Sequence, residues 1–213
     1  QAGPAPRIIS ISHEVLFPEE IVLRLEAESG SPVREITLFY TLGRKRTTVY
    51  GYPSFQPGTH VTAEFRIKTD GANYLPSGTD IEYYYVLRDE ASQVLETPRT
   101  SLEYKDPQYE WQRLEHGPLV FLWHDRPESE VRAVAAQVAP YVEAAQRMLG
   151  LESVRPVKAV ILNSGREAQR SFPLISDTAR REHVFGGFAY GEYGLFLLVG
   201  LGRDGIVHEA THL

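Results

Sequence analysis

The sequence contains no cysteine, which excludes disulfide bonds and thiolate metal ligands throughout its 213 residues. It has no apolar run of the roughly 18 residues that a membrane-spanning helix requires, so we expect no membrane span. It also has no excess of basic residues: the formal net charge is −6 and no basic stripe is present, which argues against a nucleic-acid partner. Apolar residues make up 42% of the chain, enough for a soluble globular protein with a real core.

Several common catalytic signatures are also missing. The sequence has no G-x-S-x-G nucleophile elbow and no Walker loop, and GLGRDG (200–205) lacks the spacing and the lysine of a phosphate-binding loop. The chain starts at Gln1 with no apolar signal-peptide core, and it ends within an apolar helical pattern. We therefore expect these residues to be a fragment of a longer protein.

The first half of the chain has the pattern of short β-strands. In VTAEFRI (61–67), apolar residues alternate with polar ones, which is the period of a strand with one buried face. Similar alternation occurs in EIVLRLEA (20–27), REITLFYTL (34–42) and DIEYYYVLRD (80–89). Clusters such as ESGSP (28–32) carry turn-forming residues between these segments. The pattern predicts a β-sandwich over residues 1–106.

The tyrosine-rich stretch DIEYYYVLRDEASQVLETP (80–98) resembles the late strands of fibronectin-type-III-like and immunoglobulin-like bacterial modules. Tyr83, Tyr84 and Tyr85 suit a carbohydrate- or peptide-binding face. Packing in the core and on the sheet surface is the more common role of such residues, and we favour it here.

Residues 107–213 show a different pattern, with apolar runs typical of buried strands at 118–125 and 157–162. Between them, 127–149 has helical periodicity, with Asp125 and Glu128 as a capping-box-like start and Pro140 as a site for a kink. A weaker helix follows Ser164, then a strand or hairpin over 183–200, and Asp204 is positioned to cap a last helix. We expect a mixed α/β unit.

The last helix carries the pentad His208-Glu209-Ala210-Thr211-His212, an H-E-x-x-H motif. Residues i and i+4 share one face of a helix, so the two imidazoles are able to bind one zinc ion. Glu209 would then act as general base on a water molecule whose pKa the zinc lowers. The other interpretation is a surface helix that carries these residues by chance. The apolar residues Ile206, Val207 and Leu213 around the pentad argue against it.

The order of elements over 118–213 resembles the N-terminal half of a gluzincin zinc metallopeptidase domain of the bacterial peptidase MA-like type. FGGFAYGEYGLFLL (185–198) matches its glycine-rich edge strand, and GIVHEATHL (205–213) matches its zinc-binding helix. The resemblance implies a β-sandwich followed by an α+β half-domain, and a peptide or protein substrate. It also implies an extracellular or cell-envelope location.

The resemblance further implies the site residues. His208 and His212 match two zinc ligands and Glu209 the general base. The segment Gly186, Gly187, Phe188 and Ala189 matches the strand that pairs with an extended substrate. Its small residues leave room for close backbone approach, although an ordinary bulged hairpin would use the same glycines.

The chain departs from the family at the third zinc ligand, a glutamate that gluzincins take from a helix downstream of the pentad. Asp177, His183 and Glu192 have suitable chemistry, but none has a suitable spacing, and His124 is more typical of a packed residue. Zinc is therefore expected in the full-length protein and doubtful in this fragment, which we expect to be inactive. The alternative function is a non-catalytic cell-surface binding or adhesion protein with a degenerate peptidase scaffold.

Overall fold

The computed structural model describes residues 3–150, 156–173 and 186–213, so Asp177 and His183 lie outside the described residues. The strands are β1 (Arg7–Leu16), β2 (Glu20–Leu42), β3 (Val49–Gly51), β4 (Gly58–Lys68), β5 (Thr79–Asp89), β6 (Val94–Glu96), β7 (Thr100–Tyr104), β8 (Gln112–His116), β9 (Leu119–Trp123), β10 (Val157–Leu162), β11 (Gly187–Tyr190) and β12 (Leu195–Val199). The helices are α1 (Glu128–Met148), α2 (Gly165–Ser171) and α3 (Arg203–Ala210), and a 3₁₀ turn covers Gly71–Asn73. None of the helices in these ranges is both long and apolar enough to span a membrane.

The chain divides into two compact units. The first consists of Gln1–Asn73 with Asp80–Tyr104, and the second consists of Tyr74–Thr79 with Lys105–Leu213. Strands make up 47% of the structure and helices 20%.

The first unit is one antiparallel sheet that curls around the long strand β2. The first half of β2 pairs with β1 and β4, and its second half pairs with β3 and β5. Strands β6 and β7 extend the sheet by pairing with β5. The predicted alternation is confirmed, because every second residue from Ile81 to Leu87 is buried, as are Ile21, Leu23, Leu25 and Ala27.

The predicted β-sandwich is wrong, because these strands belong to one hydrogen-bonded sheet. The error arises at ESGSP (28–32), which does not form a turn. Strand β2 runs through this segment, with a register shift against β4 between Glu28 and Val33. Gly30 marks a close backbone approach: its amide donates to the Pro4 carbonyl at 2.8 Å, and a Cβ at Gly30 would overlap Pro4.

The second unit contains a five-stranded sheet in the order β11-β12-β10-β9-β8. Strand β10 is parallel to both β9 and β12, whereas β8 and β11 are antiparallel to their neighbours. All residues of β9 and β10 are buried, which confirms the two apolar runs as buried strands. One core cluster joins the sheet to α1 and α3, and a second cluster includes residues of β9, β10, β12 and α2.

Two predicted helix caps are wrong. The N-cap of α1 is Pro127 and that of α3 is Gly202, and neither makes a side-chain capping bond. Asp125 instead lies 2.9 Å from the imidazole of His124, and Asp204 pairs with Arg203. Pro140 lies inside α1, which continues through it from Glu128 to Met148.

The predicted α+β half of a gluzincin domain is also wrong. Strands predominate in the described residues, and α1 is the one long helix among them, since α2 has 7 residues and α3 has 8. The apolar periodicity predicts individual strands and helices correctly, but it does not show what fraction of the chain forms sheets. The structure is mostly β, with one curled antiparallel sheet and a second, mixed sheet.

Candidate functional site

The pentad lies on α3 and the turn that ends it. Ile206 and Ala210, four residues apart, are buried in the core that α3 shares with α1 and the sheet. His208 and His212 are exposed on another side of the helix, as the same four-residue spacing requires. The helix ends at Ala210, but the His212 amide still donates to the Glu209 carbonyl at 3.2 Å, which holds the second histidine in place.

The two histidine side chains meet through their Nε2 atoms, which are 3.2 Å apart. Two nitrogens bound to one tetrahedral zinc ion lie about 3.3–3.4 Å apart, given Zn–N distances of roughly 2.0–2.1 Å. The pair therefore fits two positions of a zinc site. The same separation suits a hydrogen bond between the rings, and metal titration distinguishes the two arrangements.

Glu209 points toward the edge strand β11. A Cβ placed on Gly187 would lie 2.7 Å from Glu209 Oε1 and 2.9 Å from the Leu197 carbonyl oxygen. Only a glycine at this position lets the carboxylate lie directly against the strand backbone. The glycine is thus explained by close approach of α3 to β11.

An open groove runs between β11 and α3. The seven residues predicted for the site all line it, together with Leu198 and Gly205: these seven are Gly186, Gly187, Phe188, Ala189, His208, Glu209 and His212. Strand β11 is terminal in the sheet order, and β12 is its one partner among the described strands. The two strands pair from Gly187–Leu198 to Tyr190–Leu195 without a register shift, so the bulge considered from the sequence is not present there.

The described residues contain no cluster of three or more His, Cys, Asp or Glu side chains that would hold a metal ion. Glu192 lies in the β11–β12 turn and is exposed. His124 is buried and packed, as predicted: its ring stacks on Tyr109 at 4.0 Å, and its Nε2 lies 3.1 Å from Glu167. Helix α3 and the turn that ends it contribute two imidazoles and one carboxylate to the groove.

Sequence reasoning missed an aromatic group on β11. Phe188 packs edge-on against Phe172 with ring centroids 4.8 Å apart, and Tyr190 packs against Tyr74 at 5.8 Å. The Tyr74 hydroxyl lies 3.1 Å from that of Tyr190 and donates to the Ser171 carbonyl at 2.7 Å. Burial, with a contribution from the charge of Glu209, raises the pKa of Tyr190 to about 12. The alternation Gly-Phe-Ala-Tyr in β11 was the signal for this aromatic face.

The three tyrosines of β5 do not share one exposed face. Tyr83 and Tyr85 are fully buried, which confirms the core role favoured from the sequence. Tyr84 lies on the other face, where it stacks on Phe39 at 5.1 Å and under the Arg99 guanidinium at 4.5 Å. The residues that motivated a binding or adhesion protein therefore serve the packing of the first unit.

Comparison with known proteins gives only distant similarity. Neither a family model nor a curated protein matches the chain. OgpA from Akkermansia muciniphila, solved with an O-glycopeptide substrate, is 7% identical with a TM-score of 0.35, over 50% of this chain and 32% of OgpA. BC0361, a polysaccharide deacetylase from Bacillus cereus, is 7% identical with a TM-score of 0.34, over 81% of this chain and 54% of that protein. The chain thus spans about a third of the length of OgpA, and similarity at this level assigns no function.

Proposed function

We propose that the groove between β11 and α3 is part of the active site of a zinc-dependent peptidase. The observation that carries this proposal is the 3.2 Å separation of the His208 and His212 Nε2 atoms, on a helix whose Glu209 lies against an edge strand. Neutral imidazole nitrogens are common zinc ligands, and a carboxylate between them in sequence suits proton transfer.

In this proposal each residue of the groove has one task. His208 and His212 hold the metal, which when bound supplies a Lewis acid that polarises a carbonyl and lowers the pKa of water. Glu209 accepts a proton from the attacking water and passes it to the leaving amine. Strand β11 positions an extended peptide through its backbone N–H and C=O groups.

A catalytic zinc site has three protein ligands, and the described residues supply two in one cluster. The proposal therefore includes a third ligand from outside that cluster. We expect the chain alone to bind zinc weakly.

The metal half-site is tested by isothermal titration of the chain with zinc. We expect one site, with an affinity that falls at least about tenfold in His208→Ala and in His212→Ala, because each variant removes one of two ligands. His60→Ala is the matched control: His60 is an exposed histidine of the first unit, where its Nε2 pairs with Glu26 at 3.1 Å. Equal zinc binding by wild type and both site variants would rule out the half-site.

The role of Glu209 is tested by hydrolysis. In the full-length protein loaded with zinc and cleaving an unstructured polypeptide, Glu209→Gln should lower kcat by about 10²–10⁴-fold while zinc affinity is retained, since a general base contributes in that range. Cleavage that persists in Glu209→Gln, or that survives chelation of zinc, would contradict the proposal.

A further inference from the structure

The two faces of β11 present different chemistry. Gly187 lies against the Glu209 carboxylate, and Ala189 packs against the core cluster that contains Ile206. Tyr190 packs instead against the second cluster, which contains Leu195 and Leu197. Since side chains alternate along a strand, Phe188 shares the face of Tyr190.

The second face carries a continuous group of half-buried rings, the β11 aromatic face, which consists of Phe172, Phe188, Tyr190 and Tyr74. These four side chains are uncharged. The Tyr74 hydroxyl donates to the Ser171 carbonyl and lies within hydrogen-bond distance of the Tyr190 hydroxyl, so the polar atoms of these rings already have partners.

We propose that the edge of β11 binds an extended peptide whose alternate side chains are apolar, with aromatic residues preferred. This inference rests on the proposed function, in which the groove takes a peptide. A strand added to β11 places every second side chain on the β11 aromatic face, within cross-strand reach of Phe188 and Tyr190. This alternation is the same for a parallel and an antiparallel peptide.

The chemistry of the face selects the side chains. Against these four rings, a charged or amide side chain would lose hydration without gaining an ionic partner, which is unfavourable. An aromatic side chain would bury apolar surface and gain edge-to-face contacts with Phe188. On the opposite face, the peptide side chains approach Glu209 and His208, where small or polar residues fit.

The inference is tested by fluorescence polarisation with two short labelled peptides, in the presence of a chelator. One peptide has Phe at alternate positions, and the other has Gln at the same positions. We expect wild type to prefer the Phe peptide by at least about tenfold, the ratio that corresponds to burying about one apolar side chain. Phe188→Ser should abolish the preference by weakening binding of the Phe peptide alone.

Two variants serve as controls for folding. Phe188→Leu keeps the apolar surface and should restore the preference for the Phe peptide to within about threefold of wild type. Tyr141→Ser changes an aromatic residue on α1 that is 55% exposed, and it should leave binding of both peptides unchanged. Thermal unfolding of each variant shows whether the second unit is intact.

The outcomes separate this inference from the proposed function. Zinc binding by the chain, combined with equal affinity for both peptides, overturns the inference and leaves the zinc site standing. A preference for the Phe peptide in a chain that binds no zinc supports the inference and contradicts the peptidase. If neither peptide binds, the inference is overturned. It is also overturned if the chain dimerises through β11, which sedimentation velocity would show as a dimer that Phe188→Ser abolishes.

Discussion

Gly187 is the residue at which helix, strand and carboxylate meet. A methyl group there would overlap both the Glu209 carboxylate and the Leu197 carbonyl oxygen. The carboxylate is able to rotate away, whereas the backbone carbonyl of β12 is held by the sheet. The position therefore couples the stability of the β11–β12 pair to the placement of the predicted general base.

We predict that Gly187→Ala lowers the free energy of unfolding of the second unit by about 1–3 kcal/mol, the usual cost of overpacking. In the full-length protein it should also lower hydrolysis, because Glu209 moves. Zinc affinity should not change, because a Cβ at Gly187 contacts neither histidine. Chemical denaturation and zinc titration check the two effects separately.

Gly186→Ala is the matched control for this prediction. Among the described residues, a Cβ at Gly186 would meet nothing within 4 Å, so we expect a change in the free energy of unfolding within about 0.5 kcal/mol. Equal effects of the two substitutions would show that the contact with Glu209 does not explain Gly187.

Among the strands, period-two patterns gave correct predictions, whereas turn-forming residues predicted a turn that the structure does not contain. Alternation in 61–67 and 81–87 matches β4 and β5 because each strand has one buried face, which fixes the period. Ser and Gly in 28–32 are as typical of a bulge in a continuing strand as they are of a turn, and the local sequence does not distinguish the two. Interpreting this segment as a turn contributed to the predicted sandwich, whereas the strands form one curled sheet.

The pairing of β2 with β4 predicts a pH dependence. Glu20 lies opposite Lys68 in the ladder and accepts a hydrogen bond from its Nζ at 2.8 Å, and Arg66 also pairs with it. The bond from Lys68, with that from Arg66, lowers the pKa of Glu20 below its ordinary value of 4.5. A lowered carboxyl pKa contributes stability above pH 4.5 that is lost as the pH falls through the folded-state value.

We therefore expect Glu20→Gln to lower the thermal stability of the first unit at neutral pH. We also expect the further decrease in stability below pH 4.5 to be smaller in this variant than in wild type. Circular dichroism melts across that range measure both effects. Glu82→Gln is the control, because Glu82 forms an exposed ion pair with Arg99 in the same unit. A parallel shift of the wild-type and Glu20→Gln curves at every pH would contradict the assignment.

For the whole molecule, the sequence predicted which residues form the candidate site but did not predict the residues that surround it. The H-E-x-x-H spacing names His208, Glu209 and His212 because helix geometry is local. The aromatic neighbours of β11 come from Phe172 and Tyr74, which are distant in sequence, and only the fold brings them together. The same is true of Tyr74–Thr79, a segment between two strands of the first unit that belongs to the second.

That segment gives a prediction about which unit a substitution affects. Gly78 has φ +89, its carbonyl accepts a hydrogen bond from the buried Lys158 Nζ at 2.7 Å, and a Cβ there would overlap Val160. We expect Gly78→Ala to cost about 2 kcal/mol, from backbone strain together with overlap in the core. Hydrogen exchange should rise in β9, β10 and β12, although residue 78 immediately precedes β5 in sequence.

Gly71→Ala isolates the backbone contribution to this effect. Gly71 has φ +53, so the substitution imposes similar strain, but a Cβ there would meet nothing within 4 Å. Its cost should be about 1 kcal/mol, with no rise in exchange in the mixed sheet. If Gly78→Ala instead raised exchange in β2 and β5 and left β10 protected, the segment would be part of the first core. The division of the chain into units would then follow its sequence order.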